Sequence, residues 1–524
     1  MTRIYEFFSS SRNKFIFVMV FAWGLLAHGM IMFRKLAIHD DIYDFFGVYT
    51  PRTLSLGRWL GVVIVKLDRW LLGMPALSAP TFYVALSFLY IAVFLCMLAE
   101  LFKLENRFAL AALCGFTVTS PVILMLFGYM PFVPSYFPGI ILVTAGGCLL
   151  CKTAHNRRNF ITGSVLLCLG TAVYQCFFPL GMSIMLLWLI NQTETGKMSW
   201  PEYWKNALYF LASGAVALIL YLAVNQMIIS AAKSADASFG GMTGYAQLDH
   251  WGITSLKEYL IRLAKAYGLF VVMPSSSMKA LFVVGARYVY FVLFVISIVL
   301  ICREFFHLHK TEAKSAWQFL IASALLPLSV NLMLFMTDSG SVHALHMITW
   351  VIAVIFMLQR PYAIPAREGC TNSLGRVVIA LLMLSNIITA RYDNNCYLKL
   401  EMGQSSAVSY FTTLITRIKS LEGYNDEMPV LYLNERKKED KSVTEIPELD
   451  GKTPTLPYNI AEAKNFINMF TWKEFMRIWC GYDPKLYDAK EDRHAILQSV
   501  PENMPHYPND GSIRIIDGVI IVNF

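Results

Sequence analysis

The chain has 524 residues, 56% of them apolar and only 15% charged, where a soluble globular protein carries about 25% charged residues. A mean hydropathy of +0.50 excludes a disordered chain and argues against a wholly soluble enzyme. The formal charge of +8 hides a split: residues 1–390 hold 28 Lys and Arg against 16 Asp and Glu, a net of +12, and residues 391–524 hold 16 against 20, a net of −4. The sequence joins an apolar, basic body to a polar, slightly acidic tail, and its total charge is no sign of a nucleic-acid binder.

Crossing a bilayer takes roughly 20 apolar residues at about 1.5 Å per residue. Eleven runs approach that length: about 15–33, 82–102, 107–126, 136–151, 159–174, 176–191, 207–230, 281–302, 316–336, 343–359 and 375–391. The first is too long for a signal peptide and has no small-residue cleavage site, so it is expected to remain as an uncleaved span. With the N-terminus inside, the inner segments collect Arg3, Arg12 and Lys14, then Lys103 and Arg107, Lys152, Arg157 and Arg158, Lys197 and Lys205, Arg303, Lys310 and Lys314, and Arg360, Arg367 and Arg376. That is the cation distribution expected of cytoplasmic loops. An odd number of spans places the tail outside. The inner loops are too short for a nucleotide-binding domain, and no Walker loop or GxGxxG is present. Any chemistry must therefore use a substrate available in or outside the membrane.

Two outer loops carry cations against the topogenic trend. The first follows the first span and opens with His39-Asp40-Asp41-Ile42-Tyr43-Asp44. On a helix, Asp40, Asp41 and Asp44 share a face, and crowded acids at a membrane boundary suit a general base or a metal ligand, or simply form a solvated charged turn. His39 is a ligand, a base or an interfacial side chain. No cofactor signature accompanies them. The one cofactor the acids suit is a divalent cation, Mg²⁺ or Mn²⁺, on Asp40 and Asp41. Downstream, Gly57-Arg58-Trp59 leads into an amphipathic stretch with Arg58, Lys66 and Arg69 on one face and Leu60, Val63, Ile64, Leu67 and Leu71 on another. This predicts an interfacial helix within about 51–74, whose cations hold a lipid phosphate or anchor on headgroups. The second such loop, about 231–280, predicts another interfacial helix over about 245–280 and carries Lys279. Arg287 lies within the eighth run, near its outer edge, and an intramembrane arginine marks a functional position unless it snorkels to the headgroups.

Three further outer features stand out. Tyr174-Gln175 fills a tight turn between two spans and either bonds a sugar or closes the turn. Asp338, His343 and His346 occupy a short outer turn and suit a metal, a phosphate or sugar contact, or an ordinary polar turn. The tail, 391–524, predicts a small α/β domain: a helix over about 404–421, a strand at 429–433, a charged loop over 434–457, a helix over about 460–479, and a hairpin from Ile513 to Asn523 around Asp517-Gly518. Cys396 and Cys480 are the only cysteines of the ten in the outer tail, which invites a disulfide.

An Asp-Asp pair in the first outer loop followed by Gly-Arg-Trp on an interfacial helix resembles the Gtr-type O-antigen glucosyltransferases of bacteria. The resemblance continues at Tyr174-Gln175 and at Arg391-Tyr392-Asp393-Asn394, adding Arg391 and Tyr392 to the candidate site. It implies a polytopic helical membrane protein of the GT-C type, with about eleven spans and an extracytoplasmic α/β domain. It also implies an inner-membrane location and an inverting transfer of a sugar, glucose by analogy. The donor would be a polyprenyl-phosphate sugar and the acceptor a hydroxyl of a lipid-linked or surface glycan. Asp41 or Asp40 would deprotonate that hydroxyl while Arg58, Lys279, Arg287 and Arg69 stabilise the departing phosphate. Membrane lipids, a flippase and a donor-synthesising enzyme would be its partners. The competing classes are a transporter or flippase for a lipid-linked sugar, a glycan polymerase or ligase of the same architecture, and a structural assembly protein. A transporter usually shows repeated halves and midplane binding groups, and neither is evident.

Overall fold

The computed structural model describes the chain except residues 1–6, 37–40, 43, 46–49, 74–78, 153–154, 195–197, 237–238, 240–254, 272–284, 337–343, 364–369, 435–470 and 488–492. It divides into two compact units, Met1–Lys35 with Asp44–Asn394, and Leu36–Tyr43 with Asn395–Phe524.

The first unit is built of apolar helices. α1 (Ser11–Phe33) is apolar all round: Val20, Trp23, Ala27 and Ile31 are buried while Val18, Leu25, Leu26 and Phe33 stay exposed. That is how a helix with protein on one side and lipid on the other reads. Two short outward pieces follow, α2 (Thr50–Ser55) and α3 (Trp59–Leu72). Then come α4 (Pro80–Leu101), α5 (Arg107–Thr119), α6 (Pro121–Phe127), α7 (Val133–Lys152), α8 (Arg157–Val173), α9 (Phe178–Glu194), α10 (Trp200–Ala235), α11 (Leu256–Val271), α12 (Ala286–Thr311), α13 (Ala313–Val330) and α14 (Trp350–Gln359). α15 (Cys370–Lys419) closes the unit and runs on past its boundary. α1 packs on α4 and α5, α7 on α8, α4 and α9, and α13 on α9 and α12.

Among the described residues, eight helices are long and apolar enough to cross a membrane, and α5 with α6 adds a ninth if that bent pair is one span. Each of the eleven expected runs overlaps a helix among the described residues, but not every helix is a simple span. α5 and α6 are bent 43° apart because Pro121 has no N–H to continue the ladder, and Ser120 instead accepts from Val122 N at 3.3 Å. α8 has 17 residues and α14 only 10. Residues Trp350–Leu358 of α14 are all buried, so that run is apolar because protein surrounds it.

α15 is continuous for 50 residues, where the sequence predicts a span ending at 391 and a separate helix from about 404. Residues 392–403 contain no proline, and Tyr392, Cys396, Leu400, Ala407, Phe411, Leu414 and Ile418 form one unbroken buried stripe at helical spacing. Nothing in the sequence stops the helix.

Because successive helices alternate in direction, the first unit has two distinct ends. At the end where α1 begins, predicted inner-loop cations form ion pairs: Arg12 with Glu105 at 3.3 Å, Lys152 with Glu100 at 2.8 Å, and the buried Arg360 with Glu304 at 3.0 Å. The other end, where α1 finishes, carries α2, α3 and the α8–α9 turn.

The second unit holds β1 (Val430–Leu433), β2 (Ile513–Ile516) and β3 (Val519–Asn523) in the order β1-β3-β2, with β1 parallel and β2 antiparallel to β3. Asp517 and Gly518 both take positive φ, +48° and +75°, the geometry of the tight hairpin that this pair favours. α16 (Trp472–Cys480) places Trp472 against Tyr432, Phe411 and Phe524. The rest of the helix expected over 460–479, and the loop 435–457, lie outside the described residues. Cys480 is a free thiol, so the expected disulfide with Cys396 is not made.

Candidate active site

The α2–α3 junction organises the site. Gly57 turns the chain with φ of +73°, a conformation that strains any side chain with a Cβ. The turn leaves the carbonyls of Leu56 and Gly57 outside any helix ladder, and buried carbonyls need donors. Two side chains from other helices supply them. Gln175 Nε2 donates to Leu56 O at 2.6 Å and to Tyr221 Oη at 2.8 Å, and Tyr221 Oη donates to Gly57 O at 3.1 Å. This fixes the Gln175 amide: its nitrogen faces the two acceptors, and its carbonyl oxygen is buried with no protein partner among the described residues.

The next residue, Arg58, lays its guanidinium 4.2 Å from the centre of the Tyr174 ring. Tyr174 has an extended backbone between α8 and the 3-10 turn Gln175–Phe177, and its ring also meets Tyr136 at 5.6 Å and His346 at 6.0 Å. His346 is buried in the short turn Ala344–His346, which packs on α6 and is tied down by Cys176 Sγ on Leu345 O at 3.6 Å. Trp59 turns a buried indole N–H that has no protein acceptor among the described residues. On α2, one turn before Leu56, Arg52 pairs with the fully buried Asp44 at 2.6 Å and remains partly exposed. Two guanidinium groups, an indole N–H and an amide oxygen are thus gathered at one end of the helical unit. They suit a ligand with an anionic group and hydroxyls.

The structure brings Arg58, Trp59, Tyr174, Gln175, Asp44 and His346 into this region. Asp41 is described and almost completely buried. His39, Asp40, Lys279, Asp338 and His343 lie outside the described residues. Arg69 is exposed and stands three helical turns, about 16 Å, along α3 from Arg58. Arg287 sits at the start of α12, bonded to Tyr288 Oη at 2.9 Å, and its neighbours Gly285 and Tyr290 meet Ile388 and Ser385 of α15. Arg391 is exposed and Tyr392 buried on α15. The face that α3 buries is Gly61, Val62 and Val65, whereas Val63, Leu67 and Leu71, expected on an apolar face, are exposed together with Trp70. Sequence reasoning missed Tyr221, Tyr136 and the Arg52–Asp44 pair. For Tyr221 the available signal was a tyrosine set well inside the apolar run 207–230. No three His, Cys, Asp or Glu side chains among the described residues converge as a metal site.

A family profile for the glucosyl transferase GtrII matches residues 29–357. The chain belongs to the GtrII glucosyltransferase family. No curated protein and no solved structure matches it. The matched stretch of this GtrII-family protein runs from the end of α1 through α14, so it contains Asp41, Asp44, Arg52, Arg58, Tyr174, Gln175, Tyr221 and His346. Arg391 and Tyr392 fall beyond it.

Proposed function

We propose that this glucosyltransferase takes glucose from a polyprenyl-phosphate carrier and places it on a hydroxyl of a lipid-linked or surface glycan such as O-antigen, at the outer face of the bacterial inner membrane. The observation that carries the reading is the Arg58–Tyr174 stack, locked in place by Gln175 and Tyr221. It holds a fixed guanidinium beside unused polar groups at the end of the helical unit opposite the ion-paired loops. A fixed cation stabilises the charge that develops on a departing phosphate without reorganising during the reaction. Arg52, oriented by Asp44, adds a second cation, and Trp59 N–H and Gln175 Oε1, which have no protein partner among the described residues, bond phosphate and sugar.

Asp41 or Asp40, as the Gtr resemblance implies, is the general base for the attacking hydroxyl. A single displacement at the anomeric carbon then forms the new glycosidic bond, breaks the bond to the phosphate oxygen and inverts the centre. Polyprenyl phosphate leaves as the anion, and the hydroxyl proton passes to that carboxylate. In this reading the N-terminus is cytoplasmic, which the cation-rich loops at the start of α1 favour, the C-terminal unit is periplasmic, and a flippase upstream delivers the donor. The test is a transfer assay with purified protein, synthetic polyprenyl-phosphate glucose and a lipid-linked glycan. The reading expects product of inverted configuration, and no transfer from that donor sinks it.

A further inference from the structure

α15 presents a row of polar residues at helical spacing: Ser385, Asn386, Thr389 and Asp393. The first three are all engaged. Ser385 Oγ donates to Tyr290 Oη at 2.7 Å, Asn386 Nδ2 to Ala112 O of α5 at 2.9 Å, and Thr389 Oγ1 meets Thr119 Oγ1, the last residue of α5, at 2.8 Å. Asn394, the neighbour of Asp393, donates to Leu26 O of α1 at 2.8 Å. The helix is thus pinned to α1, α5 and α12 on either side of Asp393. Asp393 itself is 0% exposed, and neither of its carboxylate oxygens has a hydrogen-bond partner among the described residues.

A buried carboxylate without donors is costly. Its position is informative. Thr389, one turn back, touches Thr119 at the bend between α5 and α6, and α6 packs on the His346 turn that meets Tyr174. Asp393 therefore lies at the same end of the helical unit as the Arg58–Tyr174 site.

We propose that Asp393 is a sugar-binding residue, kept without a protein partner so that it accepts hydrogen bonds from the hydroxyls of a pyranose. A carboxylate has four acceptor lone-pair sites and suits a pair of adjacent ring hydroxyls. Those hydroxyls belong to the transferred glucosyl group or to the acceptor glycan. The inference rests on the glucosyl-transfer reading and adds to it a residue outside the matched family region.

The experiment compares the full-length wild type with Asp393→Asn and Asp393→Ala, measuring kcat, KM for each substrate separately and thermal stability in detergent. Asn keeps the shape and loses the charge-assisted acceptors. The expected result is a KM at least tenfold higher in D393N for one substrate, with stability unchanged or raised. A rise for the donor assigns the glucosyl hydroxyls, and a rise for the glycan assigns the acceptor. Donor and acceptor analogues lacking single hydroxyls should lose affinity in the wild type and lose no more in D393N. Unchanged KM for both substrates overturns the proposal, and so does failure of the isosteric D393N to fold, because a carboxylate reserved for a ligand is not needed for folding. Should the wild type ignore polyprenyl-phosphate glucose, the donor reading fails on its own. The Asp393 comparison is then read from glucosylation of surface glycan in cells expressing each variant.

Discussion

Tyr221→Phe deletes one oxygen from the site without changing its shape. In the structure that oxygen donates to Gly57 O at 3.1 Å and accepts from Gln175 Nε2 at 2.8 Å, so two of the three bonds that hold the α2–α3 junction vanish together. Interhelical hydrogen bonds within a membrane average about 0.6 kcal/mol and reach about 1.7, which puts the loss at about 1–3 kcal/mol. Gln175→Ala also removes two of the three, the bond to Leu56 O and the shared one with Tyr221. The double variant loses all three, one fewer than the sum of the singles. The cycle should therefore show a coupling of about one bond, 0.6–1.7 kcal/mol. The assay is unfolding in mixed detergent for the four proteins, with KM for polyprenyl-phosphate glucose measured alongside. Since the junction aims Arg58, Tyr221→Phe should raise that KM by about tenfold, equivalent to about 1.4 kcal/mol. Additivity within about 0.3 kcal/mol, or an unchanged donor KM, would show that the junction does not position Arg58.

Other outcomes follow from the same geometry. Arg58→Ala should weaken donor binding by tenfold or more, and Arg58→Lys should recover only part of it, because lysine keeps the charge but not the planar group stacked on Tyr174; donor KM for both variants decides. Asp41→Asn should lower turnover by roughly 10²–10⁴ with little change in KM, and a base role, unlike a metal-ligand role, leaves wild-type turnover insensitive to EDTA. Glu304→Gln removes the carboxylate partner of the buried Arg360 cation and should cost about 3–5 kcal/mol, whereas replacing both residues by Met should restore most of it; thermal unfolding distinguishes the two. Burial pushes the Cys480 thiol up, against a smaller opposing bond from Thr412. Its alkylation near pH 7.5 should be slow in the folded protein, and mass spectrometry without reductant should find it unlinked to Cys396.

Much of this protein was legible in the chain. Apolar run length depends on bilayer thickness, a constraint local to each segment, so the runs could be counted without knowing their neighbours. The same holds for the hairpin at Asp517-Gly518, whereas the single helix expected within about 51–74 is broken at Gly57 into α2 and α3. Tyr174 and Gln175 were chosen as polar residues in a turn between two apolar runs, a choice that needs only the high energy of polar groups in lipid. Arg58 and Trp59 were chosen at the start of an amphipathic stretch and by the family resemblance.

Partnership was not legible, because it depends on residues far apart in sequence. Residue 174 meets residue 58 only after α8 has crossed the unit, and Tyr221 counts as a site residue only because two carbonyls 164 or more positions earlier lack donors. The continuity of α15 and the buried surroundings of α14 were likewise decided by packing, since an apolar stretch looks the same whether lipid or protein covers it. The sequence by itself determined that the chain is a membrane protein, where its polar residues interrupt the apolar runs, and which family it resembles. Tertiary structure alone decided that Gln175 and Tyr221 hold the junction, that Arg52 pairs with Asp44, and that Asp393 is buried with no protein donor among the described residues. Hydrophobic length is a property of one segment, whereas satisfying a buried polar group takes two.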